Sequence, residues 1–305
     1  MKKIVFFILG VFLIATGIVG CLIPVLPGWP FLFLGLSFIA PKLAERLKQR
    51  FYRKFSKKEV VYLEDWKKSG VDAGFTTRHF PLSVDKTERL LSGDVQKSFA
   101  DALSQSTVLK NHHVKPMERF VFLDQAHGGR IAVLDDASPY RERGFYRLPQ
   151  TDGALTNIPD LALLVLTADC LSVFFRARDW VGLVHAGWKG AREKIAQKAF
   201  RMIVEKSGCG PKNVRVVFGP CIGADRYEVG PEFKNYFIRF SLKEKNEKIY
   251  FDLAKENKRQ LIEAGAVSDR IFETGICTIS ENENFYSFRK EKEAAGRIVS
   301  FIVKR

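Results

Sequence analysis

At 305 residues, 46% hydrophobic and 12% aromatic, the chain is long enough for one large domain or two smaller ones with packed cores. A formal charge of +15 ordinarily points to nucleic acid or an anionic surface, but here the excess is uneven: net +8 lies within residues 1–68 and +7 over all the rest. The remainder has no zinc-finger spacing, RNA-recognition signature or basic helix interleaved with stacking aromatics, which argues against nucleic acid as a partner. Five cysteines at 21, 170, 209, 221 and 277 form no CxxC pair, a usage that fits free thiols in a reducing compartment better than a disulfide framework.

Residues 4–41 carry no charged side chain, more than one membrane span of about 20 residues requires. A turn-forming cluster, Pro24-Val25-Leu26-Pro27-Gly28-Trp29-Pro30, breaks the run. Lys2 and Lys3 precede it, and Lys42, Arg46, Lys48 and Arg50 follow, so positive flanks predict a two-helix hairpin with both ends in the cytoplasm. The second arm, Phe31–Ala40, is short enough to be re-entrant or only partly spanning. Leu26-Pro27-Gly28-Trp29 resembles the small membrane proteins named for a Pro-Gly-Pro-Gly-Trp motif. A signal peptide fits poorly, because apolar residues continue past position 25; Ile18-Val19-Gly20-Cys21 loosely matches a lipobox but lacks the polar tether that normally follows. Leu43, Leu47, Phe51 and Phe55 recur every four residues among Lys48, Arg50, Lys54 and Lys57, a face that either lies on an anionic bilayer or simply supplies the hairpin's positive flank. The expected division is a transmembrane hairpin at 1–45, a basic amphipathic linker at 46–69 and a catalytic domain at 70–305 facing the cytoplasm.

From Gly70 onward short strand-like runs alternate with helical stretches. Phe120–Leu123, Leu163–Leu166 and Val181–Val184 are apolar runs, each followed by one soft or borderline ligand: His127, Cys170 and His185. Fifteen residues separate Cys170 from His185, room for a strand at Leu171–Phe175, a turn at Arg176–Asp179 and a returning strand at Trp180–Val184. Such a hairpin brings the two ligands together. Gly128, Gly129 and Gly187 beside them read as tight-turn residues. Two His and one Cys suit zinc, and three protein ligands leave a fourth position open, the pattern of a catalytic site. Gly190–Ser207 reads as a helix with Ile195, Ala199, Met202 and Ile203 on its apolar face and Gly208 as its stop. Val214–Phe218 reads as a buried strand feeding the Gly219–Gly223 turn, and Leu253–Ala264 as a helix ended by Gly265. There is no Walker A loop, dinucleotide glycine fingerprint or internal repeat.

Six ordered blocks carry a family resemblance: Asp124-Gln125-Ala126-His127-Gly128, Thr167-Ala168-Asp169-Cys170, Gly182 through Gly190, Gly219-Pro220-Cys221-Ile222-Gly223, Tyr227-Glu228-Val229-Gly230, and Phe285 through Lys290 with Gly296-Arg297. Over about residues 70–305 the chain resembles the YfiH-type laccase-domain family, described as zinc-binding purine nucleoside phosphorylases with adenosine deaminase and methylthioadenosine phosphorylase activity. Polyphenol oxidase and peptidoglycan editing factor are other labels within it. The resemblance implies an α+β domain of mixed sheets flanked by helices, with His127, Cys170 and His185 as metal ligands. The early family block survives only as Thr77-Arg78, followed by His79-Phe80-Pro81, and Ser172 stands where Pro is frequent.

Zinc at these ligands activates water for attack on a purine, whereas phosphorolysis also needs an anion site. Arg289 is the first candidate for phosphate, with Arg78 and Lys189 behind it. Gln125 joins Arg289 and Arg78 in the expected substrate set, and backbone N–H groups of the Gly219–Gly223 turn are a further possible cradle. Asp169 can orient a ligand His or act as a base. The expected partners are therefore a nucleoside, phosphate and a membrane. Three alternatives stay open: Cys170 and His185 as a thiolate–imidazolium pair in a peptidoglycan-precursor editing hydrolase, copper supporting phenol oxidation, and an inactive membrane-tethered binding module.

Overall fold

The computed structural model describes residues 59–67, 69–81, 98–99, 101–103 and 117–305. The expected hairpin at 4–41 and the amphipathic stretch at 43–55 lie outside the described residues. Among the described residues no helix is long and apolar enough to cross a membrane.

In chain order the strands are β1 (Val60–Tyr62), β2 (Val71–Thr76), β3 (Arg119–Asp124), β4 (Ile131–Leu134) and β5 (Gly144–Pro149). Then come β6 (Gly153–Thr156), β7 (Leu161–Thr167), β8 (Leu171–Ala177), β9 (Trp180–Ala186) and β10 (Arg215–Phe218). The last five are β11 (Glu228–Val229), β12 (Leu242–Lys245), β13 (Lys248–Phe251), β14 (Ile271–Glu273) and β15 (Ile298–Lys304). The helices are α1 (Glu64–Lys67), α2 (Trp188–Arg192), α3 (Ile195–Ser207), α4 (Phe233–Tyr236), α5 (Leu253–Glu263) and α6 (Phe288–Glu291).

Two six-stranded sheets carry the domain, ordered β1-β2-β15-β7-β3-β5 and β14-β10-β8-β9-β6-β4, with a three-stranded sheet β11-β13-β12 beside them. Both large sheets are mixed. In the first, β3 runs parallel to β5 and β7 while β15 runs antiparallel to β2 and β7. In the second, β4–β6 and β10–β14 are parallel and the other pairs antiparallel. This is the α+β architecture that the resemblance implies.

The period-two alternation of the strands explains the layering. Phe174, Val181 and Leu183 of the second sheet pack against Val121, Leu163, Val165 and Ile302 of the first. On the far side of the second sheet, Val173, Phe175 and Val184 meet Ile195, Ala199, Phe200 and Ile203 of α3 and Leu261 of α5. On the far side of the first, Phe120, Phe122, Leu164 and Phe301 meet Phe80, Phe99 and Leu103. Strands covered on both faces read as continuous apolar runs, which is why Leu161–Thr167 and Trp180–Ala186 show no alternation in sequence. Each fully buried Phe in these layers stabilises the fold by about 2 kcal/mol.

The helix expected over Gly190–Ser207 is two helices. Lys194 takes a left-handed backbone (φ 59°) and separates α2 from α3, letting α2 follow the end of β9 while α3 turns onto the sheet. The expected stop holds, since Gly208 caps α3 at φ 62° and its N–H closes on Val204 O and Glu205 O. Helix α5 begins where the Asp252 side chain accepts the Lys255 N–H at 2.9 Å, and it ends before Gly265.

Candidate metal centre

The β8–β9 hairpin forms as its sequence predicts, with Ala177 paired to Trp180 and Leu171 to Ala186. That register sets Cys170, just before β8, beside Gly187, just after β9, with His185 on the last turn of the pleat. His127 arrives from the loop after β3. The nitrogen and sulfur donors of His127, Cys170 and His185 lie within 4.8 Å of one another, and the two imidazoles stand perpendicular at a centroid distance of 4.8 Å.

A residue without a role in the sequence reading holds this arrangement. Asp152, wholly buried just before β6, accepts N–H groups from Ala126 (3.1 Å), His127 (2.9 Å) and Gly128 (2.8 Å). Its Oδ1 also lies 2.8 Å from His185 Nδ1. Burial pushes the Asp152 carboxyl up, but the bond from His185 and the backbone donors outweigh it, and the net shift is downward. The carboxylate is therefore acceptor-only, so His185 Nδ1 carries the hydrogen and donates it, leaving Nε2 for a metal. Asp152 thus fixes the backbone under one ligand and the tautomer of another. Its partners lie in the loop after β3 and on β9, so spacing along the chain gives no signal of it.

Glycine acts differently from the sequence expectation. The positive φ in the first loop falls on His127 itself (59°), an uncommon conformation for a non-glycine residue that three N–H bonds to Asp152 hold in place. Gly187 has ordinary extended backbone (φ −76°). What it supplies is space: a Cβ there would lie 2.9 Å from Cys170 Sγ, 3.6 Å from His127 Cδ2 and 3.8 Å from His185 Cε1. Any side chain at 187 would enter the centre.

The electrostatics favour a deprotonated sulfur. Burial pushes the Cys170 thiol up, yet the charge of His185 and hydrogen bonds from both imidazoles bring it down to about 6. Burial likewise pushes His185 down, while the Cys170 charge and the bond to Asp152 raise it to about 9. The two shifts favour a thiolate beside an imidazolium, and a metal held there would take the place of the proton between them. A thiolate and two imidazoles fit zinc or copper.

The centre opens into a cavity of about 900 Å³ whose lining includes Gln125, Asp169, Trp188, Tyr227 and the cations Arg147, Arg289, Lys292 and Arg297. Arg147 is paired with Asp124 at 2.5 Å, and Arg297 donates to Ala295 O and Gly296 O. Among the described residues the side chains of Arg289 and Lys292 form no ion pair with a carboxylate. Arg289 lies over the Tyr227 ring at 5.3 Å. Asp169, in a positive-φ conformation (98°), accepts the Thr278 hydroxyl and the Arg289 N–H, each at 2.6 Å. Asp169 therefore positions Arg289, and the orienting of a ligand His falls to Asp152.

Other expected site residues are engaged elsewhere. Gln125 spends both amide atoms on the backbone of Leu166, at 2.7 and 2.8 Å. Arg78 is ion-paired with Glu291 at 2.6 Å, stacks on Tyr286 at 4.4 Å and does not line the cavity. Lys189 is exposed beside Trp188. The Gly219–Gly223 turn offers no anion cradle: its N–H groups donate to Ser172 O, Ile276 O, Asp169 O and Cys277 Sγ. Lys292, Arg147 and Arg297 carried no expected role; the last stands in a quoted motif, the other two outside every motif.

A mixed α+β domain with a His/Cys/His donor set opening on a cation-lined cavity defines the class. Residues 72–305 match the family model described as multi-copper polyphenol oxidoreductase laccase, and the chain belongs to that family. It is 28% identical over 260 residues to the purine nucleoside phosphorylase YlmD of Bacillus subtilis, covering 80% of this chain and 94% of that protein. It is 31% identical over 190 residues to the purine nucleoside phosphorylase YfiH of Escherichia coli, covering 60% of this chain and 72% of that one. The crystal structure of the Bacillus licheniformis hypothetical protein YfiH superposes with a TM-score of 0.68 at 27% identity, covering 81% of this chain and 97% of that one.

Proposed function

We propose that this chain is a zinc-dependent purine nucleoside phosphorylase, with adenosine deamination as a second reaction, tethered to a membrane through residues 4–41 with its catalytic domain facing the cytoplasm. The observation that carries the reading is one cavity joining the His127–Cys170–His185 donor set to the cations Arg289 and Lys292, whose side chains form no ion pair among the described residues. The relatives named as purine nucleoside phosphorylases support the substrate class. Zinc is favoured over copper because the donors open on a substrate-sized cavity that no Met lines among the described residues, whereas electron-transfer copper with two His and one Cys usually has an axial Met. Bound there, zinc supplies Lewis acidity and activates water near neutral pH.

The chain's own residues then divide the work. Arg289 and Lys292 hold phosphate and neutralise its charge as it approaches the ribose carbon. Asp169 fixes Arg289, and Tyr227, whose phenol burial keeps neutral, floors the guanidinium. Trp188 and Phe288 give the purine apolar surface at the cavity wall. Incubating the purified full chain with inosine, with and without phosphate, should release hypoxanthine and ribose 1-phosphate only when phosphate is present. Absence of hypoxanthine alongside hydrolysis of muramyl peptides would replace this reading with the cell-wall one. The Cys170–His185 ion pair favours a second reading, thiol hydrolysis without metal. Activity that survives complete chelation would select it.

A further inference from the structure

We propose that Cys221 and Cys277 form a redox-active pair that closes to an intrachain disulfide when presented with a small-molecule disulfide. The two residues face each other in an isolated parallel bridge between the 219–223 turn and the segment after β14. Cys221 N–H donates to Ile276 O at 3.2 Å, and Thr278 N–H donates to Cys221 O at 3.0 Å. Bridge partners project to the same side, and neighbouring strands lie about 4.8 Å apart. That spacing falls inside the Cα separation of about 4.4–6.8 Å over which disulfides close without backbone movement. Cys277 Sγ leans over the same turn, accepting the Gly223 N–H at 3.2 Å. Both thiols line a cavity of about 120 Å³, distinct from the large one that Cys170 faces.

Their environments set the order of attack. Cys277 is half-buried while Cys221 is buried, and burial with the neighbouring Cys277 pushes the Cys221 thiol far above its ordinary range. Cys277 therefore attacks one sulfur of the oxidant, breaking its S–S bond and expelling one thiolate. Cys221 then attacks the Cys277 sulfur of the mixed disulfide and expels the second thiolate. The two protons released by the protein pass to the two departing thiolates, so one small disulfide is reduced as one protein disulfide forms. Each cysteine adjoins an anchor of Asp169: Ile222 N–H donates to Asp169 O at 2.9 Å, and the Thr278 hydroxyl donates to Asp169 Oδ1 at 2.6 Å. Closing the pair ties both anchors together, one residue from the metal ligand Cys170.

The test equilibrates the full chain with excess glutathione disulfide, blocks free thiols with iodoacetamide and maps tryptic peptides by mass spectrometry. The expected product joins peptide 216–226 to peptide 271–289. It disappears on reduction and in Cys221→Ser or Cys277→Ser, and it persists in Cys209→Ser. Complete alkylation of both thiols after the oxidant would overturn the proposal. So would a stable mixed disulfide on Cys277 with Cys221 alkylated, or pairing of either residue with Cys170 instead. The wild-type map decides the question even where a variant fails to fold.

Discussion

The inner and outer halves of the site are built to different tolerances. The inner half is held several times over: Asp152 alone makes three backbone bonds and one imidazole contact, and His185 is buried at 2% exposure, with Cys170 half-buried and His127 exposed toward the cavity. The outer half is a rim of exposed cations on and just after the four-residue helix α6, which Ser287 caps and Asp169 pins through one N–H. The contrast fits the chemistry proposed for each half. Metal ligation fails if a donor moves by a few tenths of an ångström, whereas a diffuse anion needs charge at roughly the right place.

If the inner half is as constrained as it looks, damage there should be severe and should show in metal content. Cys170→Ala should lose most bound metal and depress turnover by more than about a hundredfold while circular dichroism stays native, because a thiolate is gone from the donor set. Stoichiometric metal in that variant would remove Cys170 from the ligands. Gly187→Val should match it from the opposite direction, by filling the centre rather than emptying it. A valine there that retained full metal, measured by atomic emission, would show that the site yields and that the contrast is false.

Asp152→Asn keeps the shape but replaces an acceptor-only group with one that also donates. Metal affinity should fall by about 10- to 100-fold, with a smaller fall in turnover at saturating metal. Unchanged affinity in a competition titration with a chelator would mean that the His185 tautomer is set elsewhere.

The rim should respond more mildly and in a different observable. Arg289→Ala should raise the phosphate requirement about 10- to 100-fold, the worth of about one charge-assisted hydrogen bond, with metal content untouched. Lys292→Gln should change it only a few-fold, less than about 1 kcal/mol for an exposed charge, and should flatten its dependence on ionic strength. Equal losses in both variants would make the rim a uniform field rather than a site centred on Arg289.

The sequence by itself determined the strands that carry the ligands, the β8–β9 hairpin, the Gly208 stop and the donor set His127, Cys170 and His185. Each rests on local information: apolar runs of strand length, a polar turn read at Arg176–Asp179 that the structure narrows to Arg178-Asp179, and a glycine able to take positive φ. Only the tertiary structure decided the rest. Asp152 reaches His185 because β6 and β9 pair with Gly153 opposite Val184, and no spacing along the chain encodes that register. The same holds for Asp169, whose carboxylate turns to Thr278 and Arg289, more than a hundred residues away, rather than to a histidine. Gly187 is needed for volume and not for φ, which is a property of three side chains converging from separate segments of the chain. The break at Lys194 likewise belongs to packing, because α2 follows β9 while α3 buries Ile195, Ala199 and Ile203 against the sheet. Pattern reveals which residues can do chemistry, and the pairing of distant strands decides which of them share a site and what holds them there.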